Sequence, residues 1–227
     1  MKPYQLLVFD WDGTLMDSAY RIVACMQRAA RDTGQPVPTE RAVHEIIGLG
    51  MREAVRGLYP GLSEPDTARF IDAYRTHWLG DEVPASSLFP GARETLEWAL
   101  ENDYLLAVAT GKSRRGLDKV LEETGLRDCF HVTRCADEAF SKPHPQMLEE
   151  ILTDLDTAPQ AALVIGDSEY DMQMAANARV PAVGVSHGVH DPERLRASGA
   201  LHILQQLSEL PIWLKGQRQE TPLERWA

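Results

Sequence analysis

Unbroken apolar runs of four or five residues recur along this chain, and each stops at a small or polar residue. They are Leu6-Leu7-Val8-Phe9 before Asp10, Leu105 to Ala109 before Thr110, Ala162 to Ile165 before Gly166-Asp167, and Ala182 to Val185 before Ser186. A run without apolar-polar alternation reads as a strand covered on both faces. A weaker run at His131-Val132-Thr133 makes the expected number four or five. Helical patterns fill the intervals. Ser113 caps a segment with Leu117, Val120 and Leu121 on one side and Gly125 as its stop; Met147, Leu148, Ile151, Leu152 and Leu155 form a second stripe. Asp191-Pro192 opens a third helix that ends by Gly199. Strands alternating with helices imply parallel pairing through right-handed crossovers, which predicts a doubly wound α/β fold, Rossmann-like in organisation.

About ninety residues separate the first two strands, far more than one crossover helix needs. Ile22, Cys25, Met26 and Ala29 mark one helix there, and Ala68, Phe70, Ile71 and Tyr74 another, with shorter pieces over Val43 to Ile47 and Glu53 to Leu58. The expectation is an inserted helical cap over 17–84, a core made of 1–16 and 85–215, and a polar tail over 216–227. Thr14 to Ser18 and Val83 to Gly91 are the expected hinges, the second carrying Pro84, Pro90 and Gly91.

Charge narrows the partners. A net charge of −11 argues against general binding to nucleic acid or to an anionic membrane, and leaves a small molecule as the expected partner of a monomer or homodimer. No secretory pattern opens the chain and no run reaches the length of a bilayer span. Cys25, Cys129 and Cys135 form no CxxC pair and no even set, so free thiols in a reducing cytoplasm are expected.

Ligands of an open parallel sheet bind beyond the carboxyl ends of its strands. Asp10, Thr110 and Asp167 fall there, and Lys142 lies in a loop before the helix that starts near Pro145. Asp10, Asp12, Asp167 and Asp171 would then face one firmly placed cation, Lys142. Two like charges ~4 Å apart repel by about 4 kcal/mol at an effective dielectric of 20. Such a site raises a pKa or binds a cation, and oxygen ligands without His or Cys favour Mg²⁺. Thr110, the Gly111 N–H and Lys142 are donors suited to phosphoryl oxygens. Lys112 reads as a solvated lysine before a helix, and His187 and His190 as polar loop residues.

In order and spacing, Asp10-Trp11-Asp12-Gly13-Thr14, Thr110-Gly111, Lys142-Pro143 and Gly166-Asp167 with Asp171 resemble the four motifs of the haloacid dehalogenase-like (HAD) phosphohydrolases. The branch resembled is that of phosphoglycolate phosphatases with a helical cap after the first motif. The resemblance implies that Asp10 is a nucleophile forming an aspartyl-phosphate and that Asp12 is the acid and base. It implies that Asp10, the Asp12 carbonyl and Asp167 hold Mg²⁺, that Thr110, Gly111 and Lys142 bind phosphate, and that Asp171 supports them. Trp11 stands where the family carries an aliphatic residue and is read as core. In the cap, Arg52 after Gly48-Leu49-Gly50 is the candidate for substrate specificity. Three rival readings exist. A phosphosugar mutase would carry a cap histidine where this chain has Ile22; a haloacid dehalogenase would not need Asp12 and Asp167; a binding protein on this fold would not need the full reactive set.

Overall fold

The computed structural model describes residues 2–80 and 83–217. Its centre is a six-stranded, all-parallel sheet built from β1 (Leu6–Phe9), β4 (Leu105–Thr110), β5 (Val132–Cys135), β6 (Ala162–Gly166), β7 (Ala182–Val185) and β8 (Ile203–Leu204), in the order β5-β4-β1-β6-β7-β8. β1 lies between β4 and β6, with Phe9 level with both Val108 and Ile165. The order reverses at β1, so the crevice of this doubly wound sheet opens at its carboxyl end.

Successive strand residues feed two apolar clusters, as the alternation of Cβ directions requires. Leu7, Phe9, Leu106, Val108, Leu163 and Ile165 pack on one face with Leu96 of α5 (Ala92–Glu101), Leu117 of α6 (Arg114–Thr124) and Leu214 of α10 (Leu210–Gln217). Leu6, Val8, Ala107 and Val164 pack on the other with Ile151 of α7 (Gln146–Asp154), Met172 of α8 (Glu169–Asn177) and Leu195 of α9 (Pro192–Ala197). Both faces are covered, which is why the runs show no alternation.

The inserted stretch is helical: α1 (Ala19–Asp32), α2 (Glu40–His44), α3 (Met51–Leu58) and α4 (Glu64–Leu79). Two short strands, β2 (Met16–Asp17) and β3 (Ser87–Leu88), pair antiparallel and hold the two ends of the insertion together. The buried face of α4 is Thr67, Phe70, Ile71, Tyr74 and Trp78; Ala68, counted in the stripe from sequence, is exposed. Residues of α1 and α4 join the same cluster as Leu7 and Phe9.

β8 and the β2-β3 pair were not legible as strands, because two residues give too short a pattern. Gly216 and Gln217, assigned to the tail, close α10, and the rest of that tail, 218–227, lies outside the described residues. Cys25 and Cys135 are buried, Cys129 is partly so, and all three are free. Among the described residues no helix is long and apolar enough to cross a membrane.

Candidate active site

Asp10 follows β1 directly, its N–H donating to the Ile165 carbonyl of the neighbouring strand at 2.9 Å. The chain then folds back at once: the N–H groups of Leu15 and Met16 both donate to the Trp11 carbonyl, and that of Gly13 to the Met16 carbonyl. Gly13 has φ +83, and a Cβ there would lie 2.1 Å from Asp167 Oδ2. Glycine is thus required both for the turn and for the approach of Asp167. Trp11 is fully buried, as expected, edge-on to Phe130 with its indole N–H directed at Met16 Sδ.

Asp10, Asp167 and Asp171 each present a carboxylate oxygen within 4.8 Å of the others, all three side chains being buried. Lys142 reaches in from the loop before α7, its Nζ 2.7 Å from Asp10 Oδ1 and 2.6 Å from Asp171 Oδ1. Asp171 also accepts from the N–H and hydroxyl of Ser168, so it caps α8 while holding the lysine. Asp167 accepts from the Thr14 hydroxyl at 2.7 Å and the Val189 N–H at 2.9 Å. Asp10 Oδ1 meets the Lys142 ammonium as an ion pair, and Oδ2 receives no hydrogen bond among the described residues.

The charges explain the titration. Burial pushes the Asp10 carboxyl well above the usual carboxylate range, Lys142 opposing and Asp171 and Asp167 adding to it. Burial, then Asp171, moves Asp167 up to about 7 against its two hydrogen bonds. Burial works against the Lys142 ammonium, but Asp10 and Asp171 outweigh it and hold its pKa above the ordinary lysine value. Three carboxylates against one ammonium leave two charges uncompensated when all are ionised. A buried oxygen-only donor set with an excess of negative charge, and an Asp10 oxygen, Oδ2, without a hydrogen-bond donor among the described residues, fits a hard divalent cation.

The Asp12 carboxylate is not part of that cluster. It accepts from the Ser18 hydroxyl at 2.5 Å and meets Lys112 Nζ at 2.9 Å. Lys112 is buried, not solvated, and its ammonium lies 3.8 Å from the ring centre of Trp78 in α4. Four acidic groups therefore face two lysines, one more than the sequence suggested. Lys112 was missed because an isolated lysine before a helix carries no signal of burial; its partner Trp78 is distant in sequence. Thr110 ends β4 fully buried, and its hydroxyl accepts from the Lys112 N–H. A Cβ on Gly111 would lie 2.4 Å from the Leu49 carbonyl oxygen, so the loop after β4 touches the loop between α2 and α3. The Gly50 N–H donates to Ser141 Oγ at 2.6 Å, next to Lys142.

A cavity of about 210 Å³ opens between these parts, with Asp10, Asp12, Thr110, Gly111 and Lys112 at one end and side chains of α1, α3 and α4 around it. Arg52 does not line it. The guanidinium is half-exposed and pairs with Glu64 at the start of α4. His187 and His190 diverge: the first lies tilted against Phe89 and contacts the Thr14 carbonyl, the second accepts the Glu169 N–H.

A family model described as haloacid dehalogenase-like hydrolase matches residues 7–185. A protein of Dickeya dadantii named "Probable phosphatase IndB" is 33% identical, the match covering 93% of this chain and 99% of that one. A phosphoglycolate phosphatase of Synechococcus elongatus is 30% identical over 91% of this chain and 95% of its own. The solved structures of a hydrolase from Pseudomonas syringae (TM-score 0.83, 24% identity, 93% of this chain and 98% of that one) and of a haloacid dehalogenase-like family protein from Streptococcus pneumoniae (0.81, 21%, 94% and 99%) share the fold. Matched over most of its length, the chain belongs to the haloacid dehalogenase-like hydrolases, on their phosphoglycolate phosphatase-like branch, and is a hydrolase of the phosphatase type.

Proposed function

We propose that this protein is a Mg²⁺-dependent phosphatase that hydrolyses the phosphomonoester of a small metabolite through an aspartyl-phosphate on Asp10, phosphoglycolate being the ester that the names of its relatives put first for testing. The observation that carries the reading is Asp10 itself: a buried carboxylate at the floor of the cavity, one oxygen 2.7 Å from the Lys142 ammonium and the other without a hydrogen-bond donor among the described residues. A carboxylate so placed is a nucleophile held ready, not a structural acceptor.

Asp10 would attack phosphorus in line with the leaving oxygen, forming the new P–O bond as the ester bond breaks. Asp12, two residues on, would give that oxygen a proton, then take one from the water that cleaves the acyl-phosphate. Its hydroxyl partner Ser18 and its cation Lys112 fix where that carboxyl points. Lys142 would neutralise charge on the transferring phosphoryl group, with Thr110 and the Gly111 N–H as further donors and Asp171 orienting the lysine. Asp10 and Asp167, with the Asp12 carbonyl, would hold Mg²⁺; Asp171 stands close enough to assist. When bound, the ion supplies charge neutralisation that lets an anionic ester approach a carboxylate. The helices of the expected cap over 17–84 would close over the site and exclude bulk water.

The test is phosphate release from a panel of phosphomonoesters with and without Mg²⁺, for the wild type and Asp10→Asn. Activity should require Mg²⁺ and fall by at least about a thousand-fold in the variant, in keeping with loss of a covalent nucleophile. Undiminished turnover by Asp10→Asn would overturn the assignment.

A further inference from the structure

Beyond the reaction centre the cavity changes character. Ile22 and Met26 of α1, Ile46, Ile47 and Met51 around the loop that bears Gly48, and Trp78 of α4 form its wall. All but Met51 are buried. The charged residues elsewhere in the lining, Arg75, Arg115 and Asp137, are exposed. Arg75 is also within ion-pair range of Asp72. Lys112, the buried cation of the cavity, is already matched by Asp12 and covered by the Trp78 ring. Arg52, the cap cation that could have met a second anionic group, is tied to Glu64 outside the cavity.

One polar group is left for a ligand among the apolar side chains. The Tyr74 residue is buried and stacked on Trp78 at 6.1 Å, and its hydroxyl makes no hydrogen bond among the described residues. A phosphoryl group seated against Asp10 and Thr110 would direct the rest of the ester at this wall.

We infer that the cavity selects phosphomonoesters whose alcohol is an uncharged, mainly apolar body with at most one polar group, which Tyr74 would meet, and that it selects against carboxylated alcohols such as glycolate. This rests on the phosphatase reading above and narrows its substrate. The physical reason is desolvation. A carboxylate entering the cavity gives up water for Ile and Met side chains with no spare buried cation, whereas an apolar body removes its own surface and that of the wall from water. Phosphoglycolate would thus be a poor substrate here despite being the substrate in the names of several relatives.

The experiment compares kcat/KM for benzyl phosphate, methyl phosphate and phosphoglycolate with the full-length protein and Mg²⁺. It is repeated for Met26→Lys, which places a cation in the wall. The wild type should prefer benzyl phosphate to phosphoglycolate by at least about ten-fold, a discrimination that apolar pockets achieve. Met26→Lys should lose benzyl phosphate activity and gain on phosphoglycolate, reversing the order. Release of phosphate with phosphoglycolate equal or preferred in the wild type overturns this inference alone. Should Met26→Lys fail to fold, the wild-type ranking still decides. Absence of release from every ester, including methyl phosphate, overturns the phosphatase reading and this inference with it.

Discussion

Replacing Lys142 by methionine removes one charge from a fully enclosed group and keeps nearly the same volume. Its ammonium stands 2.7 Å from Asp10 and 2.6 Å from Asp171, and each contact corresponds to about 6 kcal/mol of gross attraction at an effective dielectric of 20. Most of that offsets the cost of burying the charges, so the net loss on removing one partner is about 3–5 kcal/mol. For a chain of this size the midpoint of thermal unfolding should fall by about 6–20 °C. The loss should also depend on pH. Asp10 and Asp167 titrate above the usual carboxylate range in the folded protein, Asp167 at about 7. A carboxyl raised in this way favours the folded state while it keeps its proton, and that advantage is lost as pH rises through the folded value. Lys142 is the group that holds the Asp10 value down, so its removal extends the loss to higher pH. At pH 5.5 Asp167 keeps its proton and the variant tolerates the missing cation better; at pH 8 that proton is gone and no ammonium faces the cluster. The destabilisation should therefore be markedly larger at pH 8, and millimolar Mg²⁺ should recover part of it there. Calorimetry of both proteins at the two pH values, with and without Mg²⁺, reads this directly. Equal shifts at both pH values, or a loss below about 1 kcal/mol at pH 8, would refute the account of a charge-strained carboxylate cluster.

Two further outcomes test the geometry around the cluster. Gly111→Ala places a methyl 2.4 Å from a backbone oxygen of Leu49, which cannot rotate away, so the loop at 48–50 must retreat. Because that loop belongs to the insertion and not to the sheet, kcat/KM should fall by about ten-fold while the thermal midpoint changes by only a few degrees; unchanged activity would show that this close approach does not matter to turnover. Arg52→Ala breaks an exposed pair with Glu64, and it should leave kcat/KM within about two-fold and stability within about 1 kcal/mol. A larger loss of activity would return Arg52 to the substrate site.

What the sequence determined by itself was whatever is written locally. Unbroken runs such as Leu6 to Phe9 declare strands covered on both sides, and the residue that ends each run marks a carboxyl end where β1, β4 and β6 deliver Asp10, Thr110 and Asp167. Those positions follow from backbone periodicity and topology, so a linear pattern suffices to find them. Side-chain direction does not. Whether Arg52 enters the cavity or turns to Glu64, and whether Lys112 stays in water or lies between Asp12 and Trp78, depends on how α1 to α4 close over the sheet. The apolar wall of the cavity is likewise assembled from α1, α4 and the loop before α3, whose residues from Ile22 to Trp78 are far apart in the chain and look like ordinary core when read singly. Only the tertiary structure decides such matters, because desolvation and ion pairing act between surfaces that the chain brings together after its local elements have formed.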